Sequence, residues 1–213
     1  MFEELKKELM VGNLTKVKEL VTKFLGDGMS AKDILDNGLI AGMDIIGDRF
    51  KRNEVFIPEV MIAAKAMHGG LDLLQPYLSK TGVEPLGTVV IGTIKGDLHD
   101  IGKNIVGMMF KGAGFKVVDC GIDASPEKLI DSVKSEKANI LAMSSLLTTS
   151  MPFMGIVIDL LKKESQEGFV KIMVGGAPVT QEFADKIGAD GYADDASSAV
   201  DKARELLGIK VKA

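Results

Sequence analysis

From residue 87 onward, short apolar runs alternate with longer amphipathic segments, and this alternation limits the possible folds more than any other feature of the chain. Five runs have the length of buried strands, at 88–92, 116–119, 139–144, 171–175 and 191–192. A segment with helical spacing of its apolar residues follows each of them. Such alternation predicts a doubly wound parallel sheet with helices on both faces. With five strands, the flavodoxin-like order 2-1-3-4-5 is expected.

The first 80 residues show helical periodicity only. Residues 2–10 are amphipathic, and apolar residues recur at helical spacing between positions 14 and 25. The pattern Ser30-x-x-Asp33 resembles a capping box, and Pro58 suits the first turn of a last helix. Four helices with short connections predict an up-and-down bundle. We therefore expect a helical domain at 1–80, a linker at 81–87 and a Rossmann-like domain at 88–213, whose tail with Lys210 and Lys212 is expected to fray.

The composition excludes several classes of protein. A formal net charge of -4 over 213 residues gives no electrostatic reason to expect nucleic acid or a membrane surface as a partner. One cysteine, Cys120, and two histidines, His68 and His99, allow neither an intramolecular disulfide nor a typical His/Cys zinc site. No apolar run approaches the length of about 20 residues that a membrane span needs. The first ten residues alternate charged with apolar residues, unlike a signal peptide, so a cytoplasmic location is expected.

Three segments are predicted to form the functional site. Ligands of open parallel sheets bind beyond the carboxyl ends of the strands, where the strand order reverses. That rule selects the segments after strands 1, 3 and 4, at 96–102, 144–149 and 175–178. The first segment is not a phosphate-binding loop, because the spacing between Gly96 and Gly102 is one residue too long and Asn104 stands where such loops have Ser or Thr.

The first segment instead places a carboxylate two residues before a histidine. An imidazole that binds a metal usually donates its other ring N–H to a carboxylate, which fixes the tautomer and raises the basicity of the ligand. Asp97 and His99 can fill these roles if the loop turns the carboxylate toward the ring.

The three segments together resemble the cobalamin-binding domains of methionine synthase, methylmalonyl-CoA mutase and small corrinoid proteins. The resemblance rests on Asp97-x-His99-x-x-Gly102, then on Ser144-x-Leu146, then on Gly175-Gly176. It implies a cofactor bound base-off, with its nucleotide tail displaced from cobalt and His99 in the vacated lower position. It further implies that Asp97 bonds His99 and that Ser144 extends this relay.

The resemblance also assigns roles around the nucleotide tail. Gly102 would leave room for it, Thr148 would hydrogen-bond the corrinoid or its tail, and Gly175 and Gly176 would let the backbone approach closely. The helical half, with Asn53 to Glu59, resembles the cap of methionine synthase. In that arrangement a dry apolar lid covers the upper face of the corrin. The candidates for this lid are Phe56, Met43 and Met61.

The resemblance is nearest to free-standing corrinoid proteins, which implies a carrier subunit with no catalytic residues of its own. A substrate:corrinoid methyltransferase would supply the methyl group from a methylamine, methanol, betaine or a methoxyaromatic compound. A methylcorrinoid:acceptor methyltransferase would pass it to tetrahydrofolate or a thiol, and a reductive activase completes the expected partners. The sequence leaves the donor, the acceptor, the lower base of the corrinoid and the oligomeric state open.

Three alternative functions fit the sequence less well. A cobalamin-dependent sensor would need an output domain, and no helix-turn-helix segment precedes the helical half. The cobalamin subunit of a radical mutase would lack a helical cap. A flavodoxin-like domain without cobalamin would have to match all three segments by accident.

Overall fold

The chain is described by a computed structural model that covers residues 1–164 and 170–209. The expected frayed tail with Lys210 and Lys212 lies outside this range. The described residues form two compact units. The first contains Met1–Pro85 together with Lys111–Gly114, and the second contains Leu86–Phe110 and the chain from Phe115 onward.

The first unit is helical, as the periodicity of residues 1–80 predicts. Its helices pack against one another, and their buried apolar side chains include Leu5, Val21, Ile46 and Leu74. The helices are α1 (Glu3–Met10), α2 (Leu14–Gly26), α3 (Ala31–Ile34), α4 (Ala41–Lys51) and α5 (Ile57–Thr81). A π-helical segment, Leu35–Ile40, joins α3 to α4, so that one continuous helix occupies the place of the third predicted helix. The periodicity did not predict this wider turn.

Local signals set the helix ends. The side chains of Asn13 and Ser30 accept main-chain N–H groups at the starts of α2 and α3, which satisfies donors that the helix leaves free. Helix α5 continues to Thr81 and ends at Gly82, whose φ of 67° lies in the left-handed region. The first residue of the predicted linker, Thr81, is therefore still helical, because the left-handed cap comes at Gly82 and not earlier.

The second unit is a five-stranded parallel sheet in the predicted order. The hydrogen-bonded order is β2-β1-β3-β4-β5. The strands are β1 (Thr88–Thr93), β2 (Lys116–Asp119), β3 (Ile140–Ser144), β4 (Lys171–Gly175) and β5 (Gly191–Ala193). The helices between and after them are α6 (Ile101–Gly112), α7 (Pro126–Ser135), α8 (Pro152–Glu164), α9 (Gln181–Ile187) and α10 (Ala196–Leu206).

The register of the central strands aligns their carboxyl ends. Thr93 of β1 pairs with Ser144 of β3, and Ser144 pairs with Gly175 of β4. Because β1, β3 and β4 are almost fully buried, they provide a rigid edge from which the loops leave. No helix in the described part of the chain is both long and apolar enough to cross a membrane.

Candidate functional site

The site lies at the edge of the sheet where the order reverses between β1 and β3. The loop after β1 carries Asp97 and His99, and the loop after β3 approaches it closely enough to form hydrogen bonds. Parallel strands that end in register bring their following loops together at one edge. The structure therefore joins the first two segments that the sequence selected.

Asp97 and His99 form the hydrogen bond expected from their spacing. Oδ1 of Asp97 lies 2.7 Å from Nδ1 of His99 and also accepts the main-chain N–H of His99 at 3.0 Å. The hydroxyl of Thr93, a fully buried residue, donates to the carbonyl oxygen of His99 at 2.8 Å. His99 is thus held through its ring, its main-chain N–H and its main-chain carbonyl group.

The carboxylate of Asp97 is fully buried and is held by the loop after β3. Its Oδ2 accepts the N–H groups of Leu146 at 2.6 Å and Leu147 at 3.2 Å. Burial opposes ionisation, but hydrogen bonds from the main chain of His99 and Leu146 and from the His99 ring outweigh it and lower the pKa of Asp97 to about 2. Asp97 is therefore an anion at neutral pH and accepts hydrogen bonds only.

This arrangement selects one tautomer of His99. An ionised carboxylate has no proton to give, so Nδ1 must carry the hydrogen and the neutral ring keeps its lone pair on Nε2. The side chain of His99 is 53% exposed, whereas that of Asp97 is fully buried. The site therefore presents one basic imidazole nitrogen to a ligand outside the protein.

The prediction that Ser144 extends the relay is wrong. The hydroxyl groups near Asp97 belong to Ser145 and Ser150, which lie 3.4 and 3.3 Å from Oδ2. Successive residues of an extended chain point to opposite sides, and Ser145, not the strand-end residue Ser144, is fully buried beside the carboxylate. The polar run 144–150 signals hydroxyl groups at this strand end, but it does not show which of them face Asp97.

The two serines form a connected pair. Their hydroxyl oxygens are 2.7 Å apart, and each also lies 2.9–3.0 Å from the carbonyl oxygen of Leu147. The distances to Leu147 and between the hydroxyls are shorter than those to Asp97, so the stronger bonds of the pair fix the loop after β3. That loop in turn supplies the two N–H groups that hold Asp97.

The predicted glycines differ in their surroundings. Gly176 has a φ of 121°, and a Cβ there would overlap the carbonyl oxygen of Ser145, so only glycine fits. A Cβ at Gly175 would lie 2.9 Å from the carbonyl oxygen of Ala193. Gly102, near the start of α6, has no atom within 4 Å of such a Cβ. Gly175 and Gly176 thus permit close packing of the protein backbone, whereas Gly102 faces open space.

Exposed apolar side chains accompany the histidine. Thr148 is exposed at the same edge, as a residue that contacts a ligand should be. Large apolar residues on the two loops and at the start of α6 are exposed to unusual degrees for their type, namely Leu98 at 68%, Ile101 at 72%, Leu146 at 44% and Leu147 at 38%. Exposed apolar groups around a polar centre are typical of a ligand surface.

The three predicted lid residues of the helical unit are not equivalent. Phe56 is 62% exposed and directly precedes α5, and its N–H donates to the carboxylate of Glu59 at 3.1 Å. Met61 is 44% exposed. Met43 is only 2% exposed, so the prediction that it contacts a cofactor is wrong: its place in the helical periodicity makes it a core residue.

The side chains suit a metal that brings most of its own ligands. Among the described residues, no group of three or more His, Cys, Asp or Glu side chains could hold a free metal ion. A corrin supplies four equatorial nitrogens to its cobalt, so a protein that binds it would add at most one ligand on the lower side. A single oriented imidazole with a free Nε2 fits that requirement.

The fold and the site define a class of proteins: Rossmann-like domains with a candidate ligand site at the switch point of a parallel sheet. Comparison with known proteins identifies the family. A model described as a B12 binding domain matches residues 87–201, and a second model with the same description matches residues 1–75. The chain belongs to this family of corrinoid-binding proteins.

Several relatives match along nearly the whole chain. A corrinoid protein of Desulfitobacterium hafniense strain Y51 is 40% identical over 98% of both chains. Dimethylamine corrinoid protein 1 of Methanosarcina mazei is 44% identical over 95% of this chain and 90% of its own.

Solved structures are similar as well. The methanol:cobalamin methyltransferase complex MtaBC of Methanosarcina barkeri matches with a TM-score of 0.84 and 29% identity, over 96% of this chain and 78% of that one. A cobalamin-binding protein of Desulfitobacterium hafniense DCB-2 matches with a TM-score of 0.80 and 28% identity, over 97% and 98%.

Proposed function

We propose that this protein binds a corrinoid base-off, with Nε2 of His99 as the lower axial ligand of cobalt. The observation that carries the proposal is the 2.7 Å hydrogen bond from His99 Nδ1 to a buried, ionised Asp97, which in the neutral tautomer leaves the lone pair on Nε2 of a half-exposed ring. The carboxylate orients the imidazole, and the fixed tautomer removes the cost of choosing between two ring nitrogens.

The surrounding residues support the other parts of a corrinoid. Gly102 faces open space near the start of α6, where the displaced nucleotide tail would need room. Thr148 offers an exposed hydroxyl, and Gly175 and Gly176 allow tight backbone packing at the end of β4. The exposed apolar residues around His99 offer the corrin ring a surface that excludes water from the metal–nitrogen bond.

The proposed activity is that of a methyl carrier. When bound, the corrinoid supplies a cobalt centre that can take up and give up a methyl group, while His99 and Asp97 hold the lower side. Residues 1–80 would form a cap domain, joined by a linker at 81–87 to the cobalamin-binding domain at 88–213. Phe56 and Met61, both exposed on the helical unit, are the side chains that we propose for the upper face.

The proposed partners follow from the relatives. Their names connect them to dimethylamine and trimethylamine, and a structural relative belongs to a methanol:cobalamin methyltransferase complex. We propose that a substrate-specific methyltransferase loads this carrier, that a second methyltransferase passes the methyl group to tetrahydrofolate or a thiol, and that a reductive activase restores the cobalt. The carrier would work in the cytoplasm, where its single cysteine, Cys120, stays a thiol.

The experiment uses the two histidines of the chain. Protein loaded with hydroxocobalamin and reduced to Co(II) is compared by EPR and absorbance for wild type, His99→Ala and His68→Ala. In protein made with 15N-labelled histidine, we expect the two-line superhyperfine splitting of a 15N imidazole in wild type and in His68→Ala, and its loss in His99→Ala. Three-line 14N splitting would come from the cofactor's own base, whereas two-line splitting that persists in His99→Ala would contradict the ligand assignment. A wild-type protein that binds no corrinoid would overturn the proposed function itself.

A further inference from the structure

Asp123, in the connection between β2 and α7, contacts the loop that carries His99. Its Oδ1 accepts the N–H of Gly96 at 2.7 Å, and its own N–H donates to the carbonyl oxygen of Asp97 at 2.9 Å. These two bonds hold Gly96 and Asp97, which lie just before His99 in the same loop. Asp123 therefore holds the loop after β1 through both its side chain and its main chain.

The backbone of Asp123 is in an unusual conformation. Its φ is 47°, in the left-handed region, which costs a residue other than glycine about 1 kcal/mol or more. The connection is fastened to the end of β1 on both sides of this residue, because Thr93 donates to Gly121 and accepts from Ala124, each at 2.9 Å. A strained residue that stays in place between such bonds, at the edge of a functional site, indicates a constraint that the site uses.

The contacts of Asp123 complement those of the loop after β3. Leu146 and Leu147 hold the carboxylate of Asp97, whereas Asp123 holds its main chain. The direction of the Asp97 side chain depends on both ends being fixed, and that direction sets the position of Nδ1 of His99. Without the Asp123 carboxylate, the Gly96 N–H would lose a charge-assisted bond, and the Lys95–Gly96 peptide would lose this anchor.

We propose that Asp123 is a positioning residue for His99: it fixes the Lys95–Gly96 and Asp97–Leu98 peptides on either side of Asp97, so that Asp97 presents its carboxylate to the imidazole in the protein without cofactor. Asp123 lies outside the three segments that carry the sequence resemblance. Its positioning role rests on the proposed function, since it affects cobalt binding only if His99 is the axial ligand.

The test uses variants that separate the carboxylate from the backbone conformation. Asp123→Gly keeps a left-handed residue without strain and removes the acceptor, and Asp123→Ser is a second variant without the carboxylate. Asp123→Asn keeps an oxygen acceptor in a residue that tolerates this conformation. Lys137→Gly is the matched control, because Lys137 has a φ of 49° in the connection before β3, outside the loops of the site.

The first measurement is amide hydrogen exchange of Gly96 in protein without cofactor, beside urea unfolding of each variant. Loss of a charge-assisted hydrogen bond should speed this exchange about ten- to hundredfold in Asp123→Gly and Asp123→Ser. Asp123→Asn and Lys137→Gly should stay within about threefold of wild type. A merely structural role would change unfolding and exchange everywhere, not at this loop alone.

The second measurement is EPR of the Co(II) form with bound cobalamin. We expect weaker nitrogen superhyperfine splitting, and cobalamin binding about tenfold weaker, in Asp123→Gly and Asp123→Ser, with recovery in Asp123→Asn. Wild-type exchange and wild-type splitting in both loss variants would overturn the positioning role and leave the proposed function intact. A wild-type protein without cobalamin binding would overturn both.

Discussion

The loops that carry His99 and Phe56 belong to different units and are held in different ways. His99 is fixed through its ring, its N–H and its carbonyl oxygen by bonds to Asp97 and Thr93. Phe56 is fixed through its main chain by Glu59, while its ring is 62% exposed. The proposed metal ligand is therefore oriented without a cofactor, whereas no hydrogen bond fixes the direction of the aromatic ring.

The same contrast appears in what each unit can tolerate. The site on the sheet depends on polar contacts and on backbone approaches that allow one residue type, as at Gly176. The candidate lid residues depend on exposure, which Phe56 has and Met43 lacks. We therefore expect substitution of a packed glycine such as Gly176 to lower stability. Substitution of an exposed lid candidate such as Phe56 should change cofactor binding and leave stability nearly unchanged.

The largest effect on stability is expected for Gly176→Ala, which tests the close backbone packing at the edge of the sheet. A methyl group there overlaps the carbonyl oxygen of Ser145, in addition to the strain of a positive φ. We expect unfolding to become easier by about 3 kcal/mol or more, measured by urea denaturation. The control is Gly28→Ala, where φ is 82° and no atom lies within 4 Å. Its smaller cost of about 1 kcal/mol isolates the strain, and equal effects would refute the overlap.

Next in size is the difference between Met43→Ala and Phe56→Ala, which sharpens the distinction within the helical unit. Removing the buried Met43 side chain should cost about 2–4 kcal/mol of stability through the cavity it leaves. Removing the exposed Phe56 ring should change stability by less than about 0.5 kcal/mol. Thermal and urea unfolding check both values, and photolysis of bound methylcobalamin, faster only in Phe56→Ala, tests the proposed lid. A large loss of stability in Phe56→Ala would contradict the exposed position of the Phe56 side chain.

Asp97→Asn probes the electrostatic side of the comparison through pH. The pKa of Asp97 falls from the usual 3.8 to about 2 on folding, so its contribution is present above pH 3.8 and is lost as pH falls through 2. The depression corresponds to about 2 kcal/mol. The stability difference between wild type and Asp97→Asn should therefore shrink by that amount between about pH 5 and pH 2. A constant difference would contradict the ionised carboxylate; urea unfolding of cofactor-free protein measures it.

The smallest expected effect on stability comes from Gly102→Ala. A methyl group meets no atom within 4 Å, and alanine is the better helix former, so stability should rise by about 0.5 kcal/mol. Cobalamin affinity should fall nevertheless, because the methyl group enters the proposed space for the nucleotide tail. Gly26→Ala, in helix α2 and equally open, should raise stability without changing affinity. Unchanged affinity in Gly102→Ala would remove that space from the proposed site.

Much of the fold could be predicted because its signals are local. The five strands agree with their predicted bounds within one residue, since each is a short apolar run between turn residues. The starts of α2 and α3 follow from side chains that cap their own helix. The π-helical segment 35–40 has no comparable signal, because a wider turn is decided by packing and not by spacing.

Fewer details of the candidate site than of the fold could be predicted from the sequence. Asp97 and His99 are two residues apart, so their contact needs only one loop to turn, and the structure shows that it does. Ser145 and Ser150 reach Asp97 across about 50 residues of sequence, and their neighbour Ser144 differs from them only in the side to which it points. Asp123 joins the loop from yet another connection.

The sequence by itself determined the order of strands and helices, the edge of the sheet where the candidate site lies and the histidine that we propose as a metal ligand. Those properties depend on apolar periodicity, on the rule for parallel sheets and on residue type. Only the tertiary structure decided that Asp97 is buried and ionised, that Ser145 and Ser150 stand beside it, and that Met43 is core. These depend on which distant segments meet, because burial and hydrogen bonds arise between residues that the chain order does not place together.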